Sequence, residues 1–171
     1  MMTLIVGGAA SGKSGYGEAL LARQKGVRVY LATMRPLGEE AAQRIQRHRA
    51  SRRDSGFVTV ECYVNLEQAL IPPHSAVLLE DVGNLCANEL FDREGGGVEA
   101  LLRGVRHLAD QASTLFLISN EVGAGGRNYA GDTDRYLRAL GEVNRCLARE
   151  ADNVCEVVCG IPNYLKGAEP N

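Results

Sequence analysis

Met2-Thr3-Leu4-Ile5-Val6-Gly7-Gly8-Ala9-Ala10-Ser11-Gly12-Lys13-Ser14 is the stretch from which the rest of the chain is read. Four largely apolar, β-favouring residues, Thr3 to Val6, run into Gly7-x-x-x-x-Gly12-Lys13-Ser14, and an amphipathic run, Glu18 to Arg23, comes at once after it. Strand, glycine loop and helix in that order are the setting of a phosphate-binding P-loop. The residue types follow from the chemistry. Backbone N–H groups crowd around a polyphosphate only where side chains are absent or small, which suits Gly7, Gly8, Ala9, Ala10 and Gly12. A helix opening near Gly12 adds unpaired N–H groups and partial positive charge. In this frame Lys13 neutralises the β- and γ-phosphates, and the Ser14 hydroxyl completes a magnesium (Mg2+) shell. The expected ligand is a nucleoside triphosphate.

The 171 residues suit one domain with a real core, expected over 1–171. A formal net charge of −2 gives no global basic field for nucleic acid. The P-loop strand follows the first Met directly, so no secretory leader is expected, and no apolar run approaches the ~20 residues of a membrane span. Five cysteines form no C-x-x-C pair and read as reduced thiols, so a cytoplasmic location is expected. Cys155 and Cys159 lie in a strand-like run at a spacing that puts both on one face, where core packing is favoured over metal binding.

Further along, strands are predicted at Val27–Thr33, Phe57–Cys62, Ala76–Asp81, Thr114–Glu121 and Asn153–Gly160. Helices are predicted at Glu39–Arg49, Asn84–Phe91, Val98–Ala112 and Asp132–Ala151, with a short one capped by Asn65 and running to Leu70. Val122 to Gly131, with Gly123, Gly125, Gly126 and Gly131, reads as a mobile loop. Alternating strands and helices imply an α/β fold of three layers, a P-loop NTPase sheet, mostly parallel, with helices on both faces. Ligands of such sheets sit beyond the carboxyl ends of the strands. The polar residues Gly7–Ser14, Thr33, Glu80-Asp81 and Asn120-Glu121 all come after apolar strands, hence lie along that edge.

Glu80 and Asp81 are candidates for the acidic strand end that holds Mg2+ or acts as a base. Adjacent carboxylates point to opposite faces, so only one of them faces Ser14. His48 sits among Arg44, Arg47, Arg49, Arg52 and Arg53, five arginines within ten positions, and shares a helix face with Arg44. Guanidiniums hold phosphates, and nearby positive charge disfavours the imidazolium form, leaving a neutral, nucleophilic ring. A solvated helix face is the alternative reading of the same run. His74 and His107 read as structural.

Motifs that match in order include Gly7-Gly8-Ala9-x-Ser11-Gly12-Lys13-Ser14, Tyr30-x-Ala32-Thr33, Arg44-Ile45-x-x-His48 and Thr59-x-Glu61. They continue with Leu78-Leu79-Glu80, Asn88-x-Leu90-Phe91, Ser119-Asn120-Glu121-Val122-Gly123-x-Gly125 and Gly141-x-x-Asn144. The chain resembles, as a divergent member, the bifunctional adenosylcobinamide kinases / adenosylcobinamide-phosphate guanylyltransferases of cobalamin biosynthesis, over nearly its whole length. The resemblance implies a RecA-like sheet, a homotrimer and two reactions: ATP- or GTP-dependent phosphorylation of a corrinoid hydroxyl, then GMP transfer from GTP through a guanylyl-histidine. It implies that His48 is the guanylylated residue, that Gly7–Ser14 bind the triphosphate, and that Ala32, Thr33, Met34, Arg49, Ala50, Ser51 and Arg52 line the nucleotide. Glu61 and the Glu80–Asp81 pair are implied to contact it, with Ser14 and Glu80 at the metal. Departures from the family pattern include Ala10 for a usual Arg, Met34 for Ser, Asp81 for Cys and Arg145 for Gln. The nucleotide half is thus kept better than the segment expected to meet the acceptor. Two other readings stay open: a paralogous P-loop kinase or nucleotidyltransferase on another acceptor, and a RecA-like ATP-binding assembly protein. His48 among its arginines argues against the last, because a motor needs no histidine nucleophile.

Overall fold

The computed structural model describes residues 1–36, 38, 55–122 and 129–170. The predicted helix Glu39–Arg49, the residues Arg44, Arg47, His48, Arg49, Ala50, Ser51, Arg52 and Arg53, and the centre of the glycine loop lie outside them. The described elements are β1 (Met2–Gly7), α1 (Lys13–Arg23), β2 (Arg28–Ala32), β3 (Val58–Glu61), β4 (Ala76–Glu80), α2 (Val82–Phe91), α3 (Gly97–Gln111), β5 (Thr114–Asn120), α4 (Gly131–Glu150), β6 (Asn153–Val158) and β7 (Ile161–Lys166).

All seven strands join one sheet in the order β3-β2-β4-β5-β1-β6-β7. Every pairing is parallel except β6 with β7. Alternation along the central strands divides the core. Ile5, Leu78, Phe116 and Ile118 face α1 and pack with its Leu20 and Leu21. Leu4, Leu79, Leu115 and Leu117 face the opposite layer, where α2, α3 and α4 bring Leu85, Leu101, Val105, Leu140 and Val143. Burial on both faces explains why β4 and β5 read as unbroken apolar runs. The parallel strands end together, so the loops after β1, β2, β4 and β5 share one edge.

Three expectations are corrected. The last strand ends at Val158, and a turn at Cys159 (φ 51°) and Gly160 (φ 79°) leads into an antiparallel β7 that the sequence did not announce. Pro162, Asn163 and Gly167 disguise it, and Pro is tolerated there because β7 is an edge strand. Cys155 is buried as core, but Cys159 is exposed at the turn rather than on the same face. Asn65 takes a left-handed conformation (φ 50°) and makes no side-chain cap, and the predicted short helix is reduced to a single 3-10 turn, Leu66–Gln68. The Asn65 N–H is instead taken by the buried carboxylate of Glu89, which also accepts from Gly96 N.

α3 seats on that turn through a bare helical position. A Cβ at Gly104 would stand 2.7 Å from the Leu66 Cβ and 3.4 Å from its Cα. Gly104→Val is expected to destabilise the fold by about 1–3 kcal/mol through overpacking. Denaturant unfolding checks this; unchanged or raised stability would show that the contact yields freely.

Candidate active site

The loop between β1 and α1 curls tightly. Ala10 (φ 55°) and Gly12 (φ 95°) are left-handed, and Ser11 N donates to Gly8 O at 3.3 Å. Its glycines are needed for two different reasons. A Cβ at Gly7 would lie 2.5 Å from Ser11 Oγ and 2.7 Å from Val157 O, whereas nothing stands within 4 Å of one at Gly8. Gly7 is thus required by packing, and Gly8 keeps the outer wall open to a ligand's approach. The β6–β7 turn supports the loop from beneath, with Gly160 N donating to Ser11 O at 2.8 Å. Lys13 is only 7% exposed, and its ammonium donates to Gly8 O at 3.0 Å. A positive charge is therefore held inside the curl.

Ser14, one residue further, donates to Glu80 Oε1 at 2.7 Å. β5 stands between β4, which ends in Glu80, and β1, which leads into α1, so α1 reaches over one intervening strand to close this contact. Burial is the main cause that raises the Glu80 carboxyl to about 7; repulsion from Asp81 and Glu18 adds to it, and the Ser14 hydroxyl and Lys13 oppose it. Glu80 Oε2 is buried without a hydrogen-bond partner in the described structure. Two hard oxygens, one of them with unused lone pairs, suit a magnesium ion that takes its remaining ligands from phosphates and water. Among the described residues no group of three or more His, Cys, Asp or Glu gathers to hold a metal by protein alone.

Asp81 has a different task from its neighbour. Its carboxylate caps α2, accepting from Asn84 N at 2.6 Å and Asn84 Nδ2 at 2.9 Å. Thr33, fully buried at the end of β2, fixes this corner. Its hydroxyl accepts from Asp81 N at 2.8 Å and reaches the Asp81 carbonyl at 2.8 Å. Thr33 is thus a backbone clasp for the acidic strand end. Of the two adjacent acids, Glu80 is the one joined to Ser14.

The register sets a row across the sheet: Ala32 pairs with Glu80 on one side and with Glu61 on the other. Glu61 accepts from the Tyr63 hydroxyl at 2.7 Å. Arg35 stacks over the Tyr63 ring at 5.2 Å and pairs with Asp92 at 2.6 Å. Asn88 donates to both Thr33 O (2.8 Å) and Tyr63 O (2.9 Å), tying the ends of β2 and β3 to α2. Sequence patterning missed Tyr63 and Arg35. Tyr63 reaches Glu61 from two residues away, whereas Arg35 reaches Tyr63 only through a tertiary contact that no local spacing encodes. The structure therefore assembles Gly7–Ser14, Ala32–Met34, Glu61 and Glu80 along one edge, while His48, Arg49, Ala50, Ser51 and Arg52 fall outside the described residues.

Among solved structures, the chain is similar in fold to the flagellar accessory protein FlaH from Methanocaldococcus jannaschii, with a TM-score of 0.53 at 13% identity over 97% of this chain and 78% of that one. It is also similar to a solved ATPase domain, with a TM-score of 0.51 at 14% identity over 91% of this chain and 68% of that one. These likenesses show the α/β P-loop fold. The sequence is 33% identical to the bifunctional adenosylcobalamin biosynthesis protein CobU of Escherichia coli (strain K12), over 97% of this chain and 100% of that protein. It is 34% identical to CobU of Salmonella typhimurium, with the same coverage, and 33% identical to CobP of Pseudomonas aeruginosa over 98% of each chain. Residues 3–165 match the family described as cobinamide kinase / cobinamide phosphate guanyltransferase. The chain belongs to that family.

Proposed function

We propose that this protein phosphorylates the hydroxyl of cobinamide with ATP or GTP, and then transfers GMP from GTP to the phosphate so formed. The observation that carries the kinase half is the Ser14–Glu80 bond beside the buried Lys13 ammonium, at the mouth of a P-loop. Phosphoryl transfer asks little covalent chemistry of a protein and much positioning and charge stabilisation. The loop N–H groups from Gly7 to Ser14 bind the phosphates, and Lys13 faces the developing negative charge. Ser14 and Glu80 would hold a magnesium ion, which would supply positive charge against the phosphates when bound. The acceptor oxygen–phosphorus bond forms as the bond to the β–γ bridging oxygen breaks, and the hydroxyl proton leaves to solvent.

In the guanylyl half, His48 attacks the α-phosphorus of GTP and releases pyrophosphate, and the acceptor's phosphate then displaces the histidine. Support comes from the Arg44-Ile45-x-x-His48 segment, the arginines around it and the family membership. Ala32, Thr33, Met34, Glu61 and the Arg49–Arg52 segment line the nucleotide in this reading. A homotrimer in the cytoplasm belongs to the same proposal. No helix among the described residues is long and apolar enough to cross a membrane.

Lys13→Ala is expected to lower kinase turnover on the order of 10²-fold or more, since it deletes the buried charge that meets the transferring group. Steady-state assay with cobinamide and ATP checks this, and near wild-type turnover would remove the P-loop lysine from the chemistry.

Glu80 links binding and stability to pH. Its folded-state value, about 7, lies above the ordinary 4.5. The stability it contributes is therefore fully present below about 4.5 and is lost as pH rises through about 7, a change on the order of 3 kcal/mol. Without magnesium and nucleotide, wild type should lose thermal stability between pH 5 and 8 relative to Glu80→Gln. Affinity for magnesium nucleotide should rise over the same window, because the cation displaces the proton. A flat difference between the two proteins would show that Glu80 is already ionised.

His48→Asn is expected to abolish guanylyl transfer and leave phosphorylation of cobinamide intact, because transfer to a hydroxyl needs no enzyme nucleophile. The check is α-labelled GTP on protein: label that persists on His48→Asn places the nucleophile elsewhere.

A further inference from the structure

Glu61 is exposed on an edge strand of the sheet, yet a chain of contacts from three other elements leads to its carboxylate. The Tyr63 hydroxyl donates to Glu61 Oε2 at 2.7 Å. The Tyr63 carbonyl accepts from Asn88 Nδ2 at 2.9 Å, which fixes the backbone that carries the ring. The Arg35 guanidinium lies 5.2 Å over that ring, and its Nη2 pairs with Asp92 Oδ2 at 2.6 Å. The two side chains of this pair are only 28% and 24% exposed, so water and salt screen them less than an open surface pair. Arg35 Nε is buried with no hydrogen-bond partner. Arg35 therefore lies on the ring although one of its donors goes unmet, and native structures leave few buried donors in that state. A solvated glutamate on an edge strand needs no such brace, because rotamer freedom favours leaving it loose.

The register fixes what the brace holds Glu61 toward. Ala32 pairs with Glu61 on one side and with Glu80 on the other, and residues paired across parallel strands point to the same face. That face is the one on which Glu80 meets Ser14 and on which Ala32 packs with the cluster around Leu20 and Leu21 of α1. A carboxylate thus stands at each end of the row, with only the Ala32 methyl between them. Neighbouring strands lie ~4.8 Å apart, which puts the Glu61 backbone about 10 Å from that of Glu80. With phosphates in the loop beside Glu80, the base is the part of a nucleotide that reaches toward Glu61.

We propose that Tyr63 is the positioning residue for Glu61, braced by Arg35 and Asp92, and that this chain of contacts makes the site select a nucleobase that offers paired N–H donors. The inference rests on the nucleotide reading of the row from Ala32 to Glu61. Guanine presents a ring N–H beside its exocyclic amine, and a carboxylate held in one rotamer accepts both side by side. Adenine presents a ring nitrogen lone pair at the matching place, which a carboxylate repels. A carboxylate has about four lone-pair sites, so the Tyr63 hydroxyl takes a fraction of its capacity while it sets the direction of the rest. Selection of this kind is sharp because the wrong base leaves polar groups of the site unpaired. Tyr63, Arg35 and Asp92 touch no substrate and act only through Glu61.

The test measures the affinity of the full chain for magnesium GTP and for magnesium ATP by calorimetry, in wild type, Tyr63→Phe, Glu61→Gln and the double variant. Tyr63→Phe keeps the ring under Arg35 and removes only the hydroxyl. It should weaken GTP about 10-fold, the low end for a hydrogen bond to a charged group, and leave ATP within about twofold. Glu61→Gln should cost GTP at least as much. Adding Tyr63→Phe to it should change nothing further, because the hydroxyl acts through the carboxylate and the two effects are not additive. Arg35→Gln should weaken GTP about threefold, in the range of one cation–π contact, with ATP again unmoved. Equal loss of GTP and ATP affinity in Tyr63→Phe would make the tyrosine merely structural and overturn the inference, as would additive effects in the double variant. A wild type with no preference for GTP would overturn it too and leave the P-loop kinase reading intact. A wild type that shows the selectivity and the coupling but phosphorylates no cobinamide would support the inference and overturn the acceptor instead. A wild type that binds neither nucleotide would overturn the nucleotide reading and the inference together.

Discussion

A single hydrogen bond, from the Ser14 hydroxyl to Glu80, joins the start of α1 to the end of β4 across an intervening strand. Its formation requires the rest of the architecture. β5 must slot between β1 and β4 so that the two groups stand on either side of it. α1 must start at Lys13 so that Ser14 faces inward, and the acid must be the final residue of its strand. It also brings a carboxylate into an environment that resists its ionisation, with Lys13 as the nearby positive charge and Asp81 and Glu18 as unfavourable neighbours. Such a group is poorly stabilised by the protein alone and well placed to accept a cation, so the site carries an electrostatic demand that a magnesium nucleotide would satisfy.

Two buttresses keep this edge rigid, and neither belongs to the phosphate-binding motif. On one side the β6–β7 turn lies against the loop, with Gly160 N on Ser11 O and Val157 O close beneath Gly7. On the other, Thr33 clasps the Glu80–Asp81 backbone while Asn88 ties Thr33 to Tyr63. The glycine loop and the acidic strand end are therefore held by the sheet, and the ends of β2 and β3 are held by α2. Two groups of residues thus lie along one edge: the P-loop with Glu80, and the row of Ala32, Thr33 and Glu61.

Much of this was legible in the chain because its signals are local. The glycine spacing, the lysine and serine after it, and the apolar runs that end in Glu80 and Asn120 can be read within a few residues of each other. The features that escaped depend on partners distant in sequence. β7 is hidden by Pro162 and Asn163, which only an edge position excuses. Asn65 has a cap-forming side chain, yet the buried Glu89 takes its N–H and the backbone turns left-handed. Counting by twos would put Cys159 on the face of Cys155, but the strand ends before it and the turn exposes it. Arg35 meets Tyr63 and Asp92 from a separate element, and no spacing in the sequence marks them.

Ser14 and Glu80 together would hold the cation of a magnesium nucleotide seated in the Gly7–Ser14 loop. A crystal structure with magnesium and a non-hydrolysable GTP analogue tests it most directly. Phosphates are expected inside the loop beside Lys13, with the 2.7 Å contact between Ser14 and Glu80 opened by a shared ion. A nucleotide bound elsewhere on the chain, or an ion that leaves that contact closed, would contradict it.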